Sequence, residues 1–202
     1  PLYSSAASDV YKRRIINMTI TDRSYRTCTY IAGDWTGDSS AIEELHKWNE
    51  SDHWGLSFTD IHNLTQSRDS SQNCSIKSSL RTRMNYCKTF VLIVGEQTNT
   101  VTSGACFWCN SYIAPTTTKC ASCKKGYSID NRSYIKTECD MAASDYDASK
   151  LKIIVLYNAE KVDRNKCPEA VRWKGTHLKM YYKGFDGRYY WNYSAIKQAF
   201  EE

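Results

Sequence analysis

A parallel β-sheet covered by helices on both faces is the fold this sequence predicts, and three observations carry the prediction. Residues 88–95 (KTFVLIVG) and 151–157 (LKIIVLY) are apolar on both faces, as only a central strand between two helical layers can be. Segments with apolar residues at helical spacing fall between the strand-like runs. Strands that alternate with helices in this way join through right-handed crossovers into a parallel sheet.

Each element has its own warrant. Residues 27–32 (TCTYIA) form a short β-rich run that stops at Gly33. Ser40 and Glu43 make a capping-box pattern, in which the two side chains satisfy each other's backbone donors. The helix it opens carries Ile42, Leu45 and Asn49 on one face and Ala41, Leu45 and Trp48 on the other. Residues 56–61 (LSFTDI) alternate apolar and polar, which predicts a strand near the sheet edge. Ile76, Leu80, Met84 and Cys87 recur at helical spacing. The next helix is expected over 133–148, with Ile135, Cys139, Ala142 and Tyr146 in one stripe. A last strand at 177–181 and a closing helix at 193–201 complete a flavodoxin-like three-layer sandwich.

Bulk properties narrow the function classes. At 202 residues and 41% hydrophobic, the chain suits a single domain over 1–202 with a substantial core. The net charge of +5 is spread out: Arg81, Arg83 and Lys88 flank one helix and Lys124 and Lys125 stand apart, so nucleic acid is not the expected partner. No run approaches the ~18 apolar residues of a membrane span. The first residues, PLYSSAASDVYKRRIIN, lack a signal-peptide core. Nine cysteines is an odd count, and Cys28, Cys87, Cys139 and Cys167 fall in or beside elements expected to be buried. A reducing, cytoplasmic setting is the expectation.

Residues 98–131 break the alternation and are too long for an ordinary connection. They hold two C-x2-C pairs, Cys106/Cys109 and Cys120/Cys123. Four thiolates offered from two tight turns suit a tetrahedral Zn2+. Such a site has no open position for water, so the metal is expected to be structural. Two buried or disulfide-bonded pairs are the alternative. Phe107, Trp108, Tyr112, Lys119, Lys124 and Lys125 could serve a nucleic-acid strand. Packing of Phe107 and Trp108 on the sheet, or a protein contact, is the favoured reading.

Glu138 falls about 60° from Ile135 on an ideal helix, at the border of the apolar stripe. A carboxylate there is a cap or ion-pair residue in most proteins. Ligands of open α/β sheets gather beyond the carboxyl ends of the strands, where the loop 33–38 (GDWTGD) lies. Gly33, Asp34, Trp35 and Asp38 are therefore candidate pocket residues, and Asp60 a further one that could equally be a turn or cap. Gly-rich phosphate loops and the GxSxG nucleophile elbow are absent from the sequence, and His46, His53, His62 and His177 show no metal spacing. His46 is expected on the exposed side of its helix.

The order of elements, the TFVLIVG strand, and Ser133-Tyr134-Ile135 followed by Glu138 resemble the TIR-like proteins of the Thoeris antiphage family, within the Toll/interleukin-receptor homology superfamily. The resemblance runs from about Thr27 to Tyr181, and the WKGTHLKMYY segment is similar to the family's carboxyl-terminal strand. It implies a TIR-like fold and cleavage of the nicotinamide–ribose bond of NAD, in some members with cyclisation of ADP-ribose. It also places Glu138 at the catalytic position and implies self-association and an effector partner. The four-cysteine insertion departs from the family's pattern and could gate the pocket, present a partner surface, or merely replace a usual loop. A silent TIR scaffold, and more remotely a zinc-stabilised nucleic-acid binder, are the rival expectations.

Overall fold

In a computed structural model, which describes residues 26–61, 72–109 and 128–202, the apolar runs form one parallel sheet. Its strands are β1 (Cys28–Ala32), β2 (Cys87–Val94), β3 (Lys152–Tyr157) and β4 (Thr176–Lys179), side by side in that order. The register sets Tyr30 beside Phe90 and Leu92 beside Val155. Lys88 alone in β2 is exposed. Burying each large side chain of such a strand contributes about 1.5–3 kcal/mol, which is why the central runs admit no polar alternation.

Strand alternation sends successive residues to opposite faces. Tyr30, Phe90, Leu92, Val94, Val155 and Tyr157 meet α2 (Asn73–Met84) and α3 (Tyr134–Asp147) on one face. Ile31, Val91, Ile93, Ile154 and Leu156 meet α1 (Ser39–Glu50) and α4 (Tyr193–Glu201) on the other. This is the three-layer, flavodoxin-like arrangement. Buried Asp145 of α3 ties the first face together, accepting from Arg26 at 3.1 Å and from Arg81 of α2 at 3.2 Å. Among the described residues no helix is long and apolar enough to cross a membrane.

Several local expectations need correction. The first helix begins at Ser39 with Asp38 as its cap residue, and no side chain caps it. Ser40 lies inside the helix, and Asp38 turns its carboxylate toward Asn158 instead. Residues 56–61 do not form a strand; they touch the sheet through one parallel bridge, Thr29 to Asp60. Cys87 opens β2 instead of closing the helix before it. Tyr146 lies at the rim, 36% exposed. The last strand stops at Lys179, and the chain then forms an unforeseen antiparallel hairpin, β5 (Tyr181–Lys183) with β6 (Tyr189–Trp191). Gly187, at φ +79°, supplies its turn.

Candidate functional site

The loop after β1 and the loop after β2 meet above the sheet, and their polar groups interlock there. Gly33 is buried, with Ile93 closest to where a Cβ would stand, so the chain can turn tightly only with a small residue. The Asp34 carboxylate accepts the N–H of Thr36 at 3.1 Å and holds the turn. Asp38 is 3% exposed and accepts from Asn158 Nδ2 at 2.9 Å. Burial, then the nearby Asp34 and Glu96, pushes its carboxyl above the ordinary range. The Asp38 carboxylate packs against Gly95, whose N–H donates to Thr98 Oγ1 at 2.8 Å. Gly33, Asp34 and Asp38 thus share one crest at the carboxyl end of β1 and β2, as the sequence led one to expect.

Trp35 and Asp60 do not join that crest. Trp35 is half exposed and lines a cleft of about 470 Å³ on the α1 side of the sheet, with Ser39, Glu43 and His46. Asp60 is buried beside Thr29, low on β1, with its Oδ2 3.3 Å from His46 Nε2. The hydrogen bond to Asp60 raises the His46 pKa. His46 is therefore a half-buried cleft residue, not an exposed one. The sequence signal was available only once Asp60 and His46 were known to meet.

Glu138 lies on the opposite face, in the second turn of α3. The helix starts there because Ser133, the cap, accepts the N–H of Lys136 at 3.1 Å. Tyr134 fixes its direction: its Oη donates to Asn73 of α2 at 2.8 Å and its N–H to Ser103 O at 2.8 Å. Gly104, at φ +95°, lies so close to the Tyr134 ring that a Cβ would fall 2.5 Å from Cδ1. Glu138 is turned inward and 7% exposed, where the border position had suggested an edge-facing carboxylate. Its Oε1 accepts from Tyr30 Oη at 2.7 Å. Glu138 lines neither the Trp35 cleft nor a second one of about 370 Å³ between residues 98–102 and the start of α3.

The motif Ser133-Tyr134-Ile135 with Glu138 thus opens α3, with its carboxylate turned toward β1. Residues 24–103 match the family model described as Thoeris protein ThsB, TIR-like domain. The TIR-like match takes in β1, α1, α2 and β2 and ends before α3. Glu138 thus lies beyond it and is carried by its motif. No curated protein matches the chain.

Half of the proposed zinc knuckle is described. Cys106 opens a 3-10 turn to Trp108, and Cys109 N–H donates back to Cys106 O at 2.9 Å. The buried Cys106 sulfur accepts the backbone N–H of Asp130 at 3.3 Å, and Cys106 N–H donates to Asp130 O at 3.1 Å. A backbone N–H aimed at sulfur suits a thiolate ligand as well as a thiol. Cys120 and Cys123 lie outside the described residues, among which no cluster of three or more His, Cys, Asp or Glu could hold a metal. The rings of Phe107 and Trp108 lie side by side, tilted by 48° with 5.1 Å between centroids, and are 42% and 63% exposed. Among the described residues neither belongs to the core clusters on the sheet faces. Lys77 of α2, although buried, pins the returning chain by donating to the carbonyls of Asp130 and Arg132.

Proposed function

We propose that this chain is a TIR-type enzyme of antiphage signalling that cleaves the nicotinamide–ribose bond of NAD, with Glu138 as its catalytic carboxylate. One observation carries the reading: the carboxylate of the S-Y-I-x-x-E motif, in the second turn of α3, is held from across the core by a 2.7 Å hydrogen bond from Tyr30. Nicotinamide leaves a ribose centre with oxocarbenium-like charge. A fixed carboxylate can hold the ribose hydroxyls and stabilise that charge, and no metal is needed. The freed centre then takes water, giving ADP-ribose, or a nucleophile of the same molecule, giving a cyclic signal. Gly33, Asp34 and Asp38 at the crest would receive the rest of the dinucleotide, with Trp35 at the neighbouring α1-side cleft offering a face for a base.

Glu138 is buried and lines neither of these two clefts, and a rearrangement that opens a path to it would be in keeping with activation by self-association. A structural Zn2+ on Cys106, Cys109, Cys120 and Cys123 would stiffen the insertion and leave the chemistry to Glu138. The same burial favours a second reading: a silent TIR scaffold that binds an effector through the insertion, where Phe107 and Trp108 stand exposed. Concentrated protein incubated with NAD, beside Glu138→Gln, separates the two. Nicotinamide release that disappears in the variant is expected. Release retained by Glu138→Gln removes the residue from the mechanism, and no release at any concentration leaves the scaffold.

A further inference from the structure

We infer that Tyr30 is a positioning residue for the proposed reaction: its phenol orients the Glu138 carboxylate and keeps it ionised. The inference rests on the reading of Glu138 as the NAD-cleaving carboxylate. Nothing in the sequence motif points to Tyr30, which lies 108 residues earlier and meets Glu138 only across the packed core.

Tyr30 is well placed to hold another group still. It is 0% exposed at the centre of β1, with β2 paired along one side and the Thr29–Asp60 bridge on the other. Its ring lies against Phe90, 5.9 Å between centroids. A phenol has no rotatable bond beyond the ring that could move its oxygen, so a fixed ring means a fixed donor. The 2.7 Å separation from Glu138 Oε1 falls in the range of charge-assisted bonds. Burial, then the charge of Glu138, pushes the Tyr30 hydroxyl well above its ordinary pKa, so it stays a donor at all working pH values.

The bond also bears on the state of the acid. Burial by itself favours the protonated carboxyl, which could not stabilise a developing cation. A donor aimed at the ionised form opposes that tendency. Among the described residues, other titratable groups also stand near the pair. Tyr134 and Cys139 stand beside Glu138 on α3, and Arg83 from α2 and Cys87 from β2 act on Tyr30. Arg83 is the cation among them, and its influence on Tyr30 is weaker than that of Glu138. A phenylalanine would fill the same core space with no polar atom to satisfy. What the hydroxyl adds is a donor to the carboxylate.

Tyr30→Phe removes only that oxygen, and two independent readouts follow it. The first is the Glu138 carboxyl titration in 13C-glutamate-labelled protein, assigned by the resonance missing from Glu138→Gln. Its midpoint should rise by about one pH unit in Tyr30→Phe, because the ionised form has lost a donor. The second is NAD cleavage, where kcat should fall roughly ten- to a hundredfold with KM little changed, as for loss of a hydrogen bond to a charged group. The acid limb of the pH profile should move up with the titration. An unmoved titration overturns the inference, and so does a moved titration with wild-type kcat. Cleavage retained by Glu138→Gln overturns the functional reading and with it Tyr30's role in the reaction, while the titration still reports whether Tyr30 holds the carboxylate. If Tyr30→Phe does not fold, fluorotyrosine placed at position 30 makes a stronger donor in the same space. It must move the titration and the acid limb down, and no movement counts against the inference.

Discussion

Replacing Gly95 by alanine tests the crest at its tightest point. The added Cβ would stand 2.6 Å from Asp38 Cγ and nearer still to Oδ1, where carbon atoms in contact keep about 3.5–4.0 Å. Asp38 is a short side chain, 3% exposed and tied to Asn158 at 2.9 Å, so it cannot swing aside freely. Relief requires either breaking that bond, at about 1.5–3 kcal/mol for a charged acceptor, or shifting the backbone, at about 1–3 kcal/mol for overpacking. Gly95→Ala should therefore cost about 2–4 kcal/mol in urea unfolding, with an unchanged m-value. The cause is checked by a double-mutant cycle. In an Asp38→Ala background the same substitution should cost less than about 1 kcal/mol, because the obstructing carboxylate is gone. A Gly95→Ala protein within about 0.5 kcal/mol of wild type would refute the reasoning, and so would an equal cost in both backgrounds.

The other expectations test the remaining contacts. His46 has a folded pKa raised above about 6.5 by its bond to Asp60, so its contribution is full below that pH and is lost as pH rises through the folded value. Between pH 6 and pH 9 the wild type should lose stability relative to His46→Gln, and parallel urea midpoints across that window would remove the pair from the account. Lys77→Met leaves three acceptor contacts at Asp130 and Arg132 without their cation and should cost about 2–3 kcal/mol; amide exchange at the start of α3 should quicken with it. Purified protein should carry about one zinc per chain and Cys106→Ser should lose it; metal-free wild type with four reduced thiols sinks the knuckle.

The sequence by itself determined the layers. The stretches FVLIV and IIVL hold no polar residue that could face water, so a central parallel strand was the one way to bury both faces. The Ser133 cap and the apolar spacing of Ile135, Cys139 and Ala142 likewise fixed α3 locally, since capping and amphipathic burial depend on near neighbours. Where a local pattern met a tertiary competitor, the competitor won. Ser40 and Glu43 could have capped α1, but the helix starts earlier and Asp38 at its cap position is drawn to Asn158. Residues 56–61 alternate like a strand yet make one bridge, with Leu56 buried against the α1 side and Asp60 turned to His46. Glu138 shows the division most clearly. Its spacing put it on the border of a stripe, but only the packing of α3 on the sheet face could turn it inward and bring it to Tyr30. A hydrogen bond between residues 108 apart depends on where the folded chain brings two strand and helix faces together, and no periodicity within either segment records that distance.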